Sequence, residues 1–168
     1  MRNKSKSRAD HSNEDWRNLI KKDESFRKFK LFKTRFEFSQ LKNCDFSAVS
    51  AKRACFIRAD LSGCDFTGAN LEHANFSGAN LTGAIFKSAI LHGANFEGAI
   101  LDGATFVHSA YKKAKKLKLS EHQLLEIEKA ELEAKETGLA KRLARKAICS
   151  GSRLKSAVLA FDTGFGSN

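Results

Sequence analysis

The chain has 168 residues, with 30 Lys and Arg against 19 Asp and Glu, and a formal net charge of +11. That length suits a single domain with appended segments, and no stretch reaches the roughly eighteen consecutive apolar residues of a membrane span. The first twelve residues are basic and lack the apolar core of a secretory signal, so we expect a cytoplasmic protein.

Residues 1–25 are predicted to form a basic tail followed by a short capping helix. The first part is polar and basic, a composition that favours disorder. Over residues 13–22, acidic residues fall in the first turn, and Trp16, Leu19 and Ile20 share one helical face. We expect this helix to pack on the structure that follows it.

Residues 26–109 are organised by a five-residue repeat. From Phe26 to Phe106 every fifth residue is Phe or Leu, with Ala51 as the exception. The period fits no regular element, because residues five apart point about 140° apart on a helix and to opposite faces of a strand. It fits a backbone that turns about 90° in each pentad, so that four pentads close one square coil and each central side chain points at the axis.

Two further patterns support a square coil. The residue two before each centre is mostly Ala, and the residue two after it is often Gly, which supplies the positive φ of a type II turn. With four sides per coil, centres twenty residues apart stack, and the seventeen centres make about four coils. The predicted core column includes Phe46, Phe56, Leu61, Phe66, Leu71, Phe76, Leu81, Phe86, Leu91, Phe96, Leu101 and Phe106.

The repeats carry a family resemblance. Residues 59–63 (ADLSG) and 79–83 (ANLTG) resemble the A(D/N)LXX signature of pentapeptide-repeat proteins. The resemblance implies an all-β solenoid, a right-handed quadrilateral β-helix. It does not imply one function, because the family includes DNA mimics that bind type II topoisomerases, cyanobacterial proteins and secreted effectors.

Two departures from the repeat mark candidate interaction surfaces. Beside the small centre at Ala51 lies a basic cluster formed by Lys52, Arg53 and Arg58. In the last coil, Ile replaces the outward Asp or Asn at Ile85, Ile90 and Ile100. Exposed apolar side chains on three sides need cover, and we expect the C-terminal segment, rather than a second protomer, to supply it.

Residues 110–168 are predicted to form a basic linker, amphipathic helices and a tail. The linker cations are Lys112, Lys113, Lys115, Lys116 and Lys118. Ser120 and Gln123 then form a capping box that opens a helix. Its predicted apolar stripe comprises Leu124, Leu125, Ile127, Leu132 and Leu139. Gly138 is expected to end or kink this helix, and a second helical piece covers residues 139–148.

Catalytic and metal-binding motifs do not occur in the sequence. The five His are scattered, and neither a zinc-protease motif nor a phosphate loop is present. We therefore expect no enzymatic activity and no cofactor. Cys44 and Cys64 lie twenty residues apart, so they should occupy adjacent coils, either as a redox pair or, as a reducing compartment favours, as two small core side chains.

Charge separates three hypotheses about function. Residues 1–43 carry a net charge of +7, residues 44–109 carry −2 and residues 110–168 carry +6. We favour a non-catalytic scaffold that binds a protein partner of unknown identity. One alternative is a DNA mimic that inhibits or protects gyrase, to which a short, weakly acidic repeat is poorly suited. The other is binding of nucleic acid or an anionic membrane through the basic ends, including base stacking at residues 26–33.

Overall fold

The computed structural model describes the backbone of residues 9–149 and the side-chain exposure of residues 9–138. Eighteen parallel bridges each join one residue to the residue twenty positions later, from Asp10↔Lys30 to Asn95↔Lys115. Strand pairing is confined to one bridged residue in each pentad. Four five-residue sides therefore make one coil, and this part of the chain is a quadrilateral β-helix.

Each corner of the coil is a tight turn with a left-handed residue. From Asn13 to His108, the residue two positions after each centre has a φ between +51° and +69°. Apart from the turn at Lys21, a backbone hydrogen bond closes each turn from His11 to Tyr111; at Phe56, for example, the N–H of Ala59 donates to the Phe56 carbonyl at 3.1 Å. This is the type II geometry that the recurrent Gly predicts, although the first ten such positions are not Gly.

Backbone hydrogen bonds tie each coil to both of its neighbours. The N–H of Phe56 donates to the Asn75 carbonyl of the next coil at 2.7 Å, and the N–H of Cys55 donates to the Thr34 carbonyl of the previous coil at 3.0 Å. Because both directions are used in each pentad between residues 30 and 89, a side chain there can shift from its coil only if these bonds break. The register of the surface is thereby fixed.

The core is a column of aromatic and aliphatic side chains. Within the two Phe stacks, rings twenty residues apart lie 4.7–5.1 Å apart and nearly parallel. Across the axis, rings from the two stacks meet edge to face at 5.9–6.3 Å, which is a favoured aromatic geometry. Every predicted column residue is buried except Leu101, which is partly buried at the end of the column.

The predicted helix at residues 13–22 is wrong, because these residues form an additional first coil. The N–H of Trp16 donates to the Arg35 carbonyl at 2.8 Å, as a coil residue does. The repeat phase extends backwards to His11, Trp16 and Lys21, and polar residues at two of these centres concealed it. Trp16 packs edge-on against Phe36, with ring centroids 5.3 Å apart. The column therefore has slightly more than five coils rather than four.

The helix α1 spans Glu121–Cys149 without interruption, so the predicted break at Gly138 and a separate second helix are wrong. Gly138 is tolerated because a glycine inside a helix costs only about 1 kcal/mol relative to alanine. The predicted capping box is present. The Ser120 N–H donates to Oε1 of Gln123 at 2.8 Å, and the Gln123 N–H donates to Oγ of Ser120 at 3.2 Å.

The start of α1 closes the end of the column through a polar residue. Nε2 of Gln123 donates to the carbonyls of Leu101 and Ala104 at 2.9 and 2.8 Å. One turn later, Ile127 is buried in the core cluster. Of the predicted apolar stripe, Ile127 is buried as expected. The prediction is wrong for Leu124, Leu125 and Leu132, which are exposed. The side chain of Leu139 lies outside the described residues.

A matched pair of substitutions tests the left-handed corners. Gly83 has a φ of +68°, and nothing lies within 4 Å of an added Cβ, so Gly83→Ala adds conformational strain without a clash. We expect Gly83→Ala to lower the free energy of unfolding by about 1 kcal/mol. Ala48, at a φ of +54°, should show the reverse, with Ala48→Gly stabilising by up to about 1 kcal/mol. Urea unfolding followed by circular dichroism measures both, and a neutral or stabilising Gly83→Ala would contradict this account.

A second pair of substitutions tests the closure of the column end. Gln123→Ala removes the donor to two carbonyls, and we expect a loss of about 1 to 3 kcal/mol in the free energy of unfolding. Gln123→Glu keeps an acceptor for the Ser120 N–H but has no donor for those carbonyls, so it should lose a similar amount. Urea unfolding followed by Trp16 fluorescence gives both values. If Gln123→Glu is as stable as the wild type, the hydrogen bonds to the Leu101 and Ala104 carbonyls do not contribute to stability, and only the helix cap does.

Candidate interaction surface

The twenty-residue register arranges the outward side chains in straight rows along the column. The bridged residue before each centre lies on a flat side, and the two residues after the centre lie at a corner. Residues twenty apart therefore lie one coil apart, at the spacing of adjacent strands, about 4.8 Å. Charges that are far apart in the sequence consequently become neighbours.

One corner aligns in a single row two groups of cations that the sequence separates by sixty residues. We call it the basic corner; it consists of Phe32, Lys33, Lys52, Arg53, Glu72, His73, His92, Gly93, Lys112 and Lys113. Backbone hydrogen bonds between coils hold its register. At one end the Lys33 N–H donates to the Lys52 carbonyl at 3.0 Å, and at the other the Gly93 N–H donates to the Lys113 carbonyl at 3.0 Å.

The column has a basic half and an acidic half. Between residues 30 and 115, the basic corner and its two adjoining sides carry one acidic residue, Glu72, and eight cations: Lys30, Lys33, Arg35, Lys52, Arg53, Lys112, Lys113 and Lys115. The two opposite sides and the corner between them carry one cation, Lys42, and four acids: Asp45, Asp60, Asp65 and Asp102. Net charges of successive segments conceal this division, whereas reading the sequence in rows of twenty shows it.

Some of these cations form ion pairs with carboxylates, whereas others do not. Lys52 contacts Glu72 at 2.5 Å, and this contact lowers the pKa of the half-buried Glu72 carboxyl. Lys30 pairs with Asp10 at 3.5 Å. Within the described part of the chain, no carboxylate lies at ion-pairing distance from four basic-corner residues, namely Lys33, Arg53, Lys112 and Lys113.

An exposed aromatic ring lies at one end of the basic corner. Phe32 is 37% exposed, and Nζ of Lys33 lies 5.2 Å from the centre of its ring. Further along the corner, the His73 ring lies against Gly93, where an added Cβ would come within 2.5 Å of Nδ1. Gly93 thus leaves the space in which the His73 ring lies along the corner.

The other predicted basic residues lie elsewhere. Arg58 is at the next corner, one coil from the exposed Phe38. Lys115 bridges to Asn95 on a flat side. Lys116 pairs with Glu97 at 3.6 Å, and with Lys118 it lines an open groove of about 620 Å³ at the end of the column. The predicted run of linker cations is therefore divided among three places.

The described residues leave the three outward isoleucines exposed, and residues 150–168 of the segment predicted to cover them lie outside the described part of the chain. Ile85, Ile90 and Ile100 are 39%, 37% and 50% exposed. The start of α1 contacts the end of the column through Gln123 and Ile127, not these sides. Ile85 and Ile100 lie on the two adjacent sides of the acidic half, whereas Ile90 lies on a basic side.

The cysteines are positioned for packing. Cys44 and Cys64 are buried, free and one coil apart, and Sγ of Cys64 lies 2.8 Å from the Leu41 carbonyl oxygen. Burial raises the pKa of both thiols, which disfavours the reactive thiolate. This geometry favours the interpretation of two small core side chains.

The described residues contain neither a metal-binding cluster nor a membrane-spanning helix. No group of three or more His, Cys, Asp or Glu side chains there is arranged to hold a metal ion. The helix of residues 121–149 lacks the apolar length needed to cross a bilayer.

Several solved structures are similar to this chain. A trypsin-treated variant of QnrB1, a plasmid-mediated fluoroquinolone resistance protein, is 19% identical with a TM-score of 0.43, and the match covers 63% of this chain and 64% of that one. This chain thus spans less than two thirds of that protein. Rfr23, from the cyanobacterium Cyanothece 51142, is 22% identical with a TM-score of 0.27, covering 63% of this chain and 90% of Rfr23.

A third similar structure is HetL, a protein of Nostoc involved in heterocyst differentiation regulation. It is 13% identical with a TM-score of 0.27, and the match covers 61% of this chain and 91% of HetL. No curated protein matches the sequence. The family model for pentapeptide repeats matches residues 30–68 and 64–103, with eight copies. The chain therefore contains the repeats of the pentapeptide-repeat family, over residues 30–103.

Proposed function

We propose that this protein is a non-catalytic scaffold whose outer surface binds a protein partner. The filled interior carries this proposal. Each Phe centre from Phe36 to Phe106 is at most 1% exposed, and the stacked rings leave no space in the column for a substrate. The chemical groups of the column can therefore act only from its outside, on a backbone that is bonded to both neighbouring coils.

The acidic half offers the protein-binding surface that fits best. Ile85 and Ile100 lie on its two sides, next to a corner where Gly83 and Gly103 present no side chains. Asp65 lies one coil from Ile85, and Asp102 lies at the corner beside Ile100. An apolar centre with a polar rim is the usual anatomy of a protein interface, and this exposed pair is the centre of the interface that we propose.

A DNA-mimic role receives less support from this surface. A mimic of DNA presents acidic groups in the place of phosphates, whereas the basic half here carries eight cations and one acid between residues 30 and 115. The acidic half carries only four Asp, one of which, Asp60, is paired with Lys42 at 3.2 Å. A topoisomerase is therefore the weaker candidate for the partner.

The exposed isoleucines give a direct test of the scaffold. We expect the full chain to retain a specific protein from a nuclease-treated lysate. Ile85→Ser/Ile100→Ser should weaken its binding about thirtyfold, because burying the rest of each side chain stabilises the complex by about 1 kcal/mol. Ile90→Ser, on the basic half, is the matched control and should bind like the wild type. Quantitative mass spectrometry followed by titration with the purified partner measures this.

Two outcomes would contradict the scaffold proposal. One is that no protein is enriched over beads alone. The other is that Ile90→Ser weakens binding as much as the double substitution, since the acidic half would then have no special role. Circular dichroism of each variant checks that the column is intact.

A further inference from the structure

We infer that the basic corner binds single-stranded nucleic acid along its length, a role separate from the protein-binding scaffold. The corner row that runs from Lys33 to Lys113 contains five positions one coil apart. At about 4.8 Å per coil it is about 19 Å long. The backbone bonds between coils hold this row straight, so that the cations are already aligned before a ligand arrives.

The electrostatics of the corner suit a chain of phosphates. Lys33, Arg53, Lys112 and Lys113 have no ion-pair partner among the described residues. The two adjoining sides carry no carboxylate from residue 30 to residue 115. Over this range a phosphate backbone therefore meets one acidic residue, Glu72, and that carboxylate is already paired with Lys52. In the first coil the same two sides carry Asp10 and Asp15, which pair with Lys30 and Arg35 at 3.5 and 3.9 Å.

The middle of the corner supplies further hydrogen-bonding groups. His73 and His92 are exposed on successive coils, and an imidazole N–H donates to phosphate oxygens in either charge state. On the adjoining sides, Asn70 and Asn75 present amides at the level of His73. The row is thus cationic at both ends and polar between them, with no apolar interruption at the corner itself.

The shape and the aromatic ring favour a single strand over a membrane or a duplex. Two flat sides meeting at a corner make a convex edge, and a flat bilayer would touch only that edge, whereas a flexible chain follows it. Phe32 presents its ring at the end of the row with Lys33 beside it, and an exposed ring next to cations is a platform for base stacking. The bases of a duplex are already paired and stacked, so a duplex cannot use this ring.

The test measures the binding of the full chain to a fluorescein-labelled single strand of twelve mixed-sequence nucleotides, DNA or RNA, by fluorescence anisotropy. With about four phosphates neutralised, the logarithmic salt slope should be about −3, and affinity should fall roughly fifty-fold between 50 and 200 mM salt. Loss of the stacking ring in Phe32→Ala should weaken binding at least about fivefold.

Two variants with the same net charge locate the site. The corner variant is Lys33→Gln/Arg53→Gln/Lys112→Gln/Lys113→Gln. The control variant removes four cations from other corners: Lys22→Gln/Lys28→Gln/Lys42→Gln/Lys87→Gln. We expect the corner variant to bind at least tenfold more weakly, with a salt slope close to zero, and the control variant to stay within about threefold of wild type. Thermal unfolding confirms that both are folded, and Arg53→Gln alone, with a smaller loss, is the fallback if the quadruple corner variant unfolds.

Four results would overturn the inference. Equal losses in the two variants would mean that net charge, including that of the terminal segments, causes binding. A duplex of the same sequence that binds as tightly as the single strand would exclude single-strand recognition. Corner-dependent binding to phosphatidylserine vesicles without binding to the oligonucleotide would identify a membrane surface. Absence of oligonucleotide binding at 50 mM salt would exclude the site. In each of these cases the scaffold proposal is tested independently by the protein-capture experiment.

Discussion

The left-handed residue in each pentad is the constraint on which this structure depends. It bends the backbone by about 90° and, repeated four times, closes a coil of twenty residues. The register of twenty then places Phe over Phe and Leu over Leu, so one turn geometry creates both the core and the surface rows. At Phe38 and Arg53 the chain adopts this conformation without glycine, at a cost of about 1 to 2 kcal/mol each, and the stacked core offsets that cost.

The same register determines what the surface can do. The cations near residue 52 and those near residue 112 are remote in sequence, yet they lie in one row of the basic corner. The opposite half receives most of the Asp side chains and two of the exposed isoleucines. The column thus has two chemically different halves, and we propose a polyanion as the ligand of one and a protein with an apolar patch as the partner of the other.

The core could be predicted from the sequence almost completely, because Phe and Leu at a spacing of five allow few other structures. The first coil could not, because His11 and Lys21 replace apolar centres there and the Trp16, Leu19 and Ile20 pattern also matches a helical face. The buried face of α1 was predicted wrongly for a related reason. Leu125 and Leu132 suggested an apolar stripe, but the donor of Gln123 satisfies two carbonyls at the end of the column, and so the face with Gln123 and Ile127 is the buried one.

The candidate surfaces were predicted only in part. The residues themselves stood out as departures from the repeat, but their grouping depends on which corner each one occupies. Segment charges of −2 and +6 concealed a basic half that crosses the segment boundary. The lid over the isoleucines was expected on energetic grounds, whereas the described residues of α1 close the column end, where open backbone groups would otherwise remain unpaired.

The most direct measurement of the central claim is disulfide trapping across the basic corner. In a background with Cys55→Ser and Cys149→Ser, the pair Lys33→Cys/Arg53→Cys places two thiols one coil apart, and strand-spaced Cα atoms at about 4.8 Å fall within the 4.4–6.8 Å range of disulfides. The pair Lys33→Cys/Arg58→Cys, which is twenty-five residues apart and at different corners, is the control. We expect rapid intramolecular crosslinking of the first pair and none of the second under mild oxidation, as detected by mass spectrometry. Crosslinking of both pairs at the same rate, or of the control alone, would contradict the twenty-residue register.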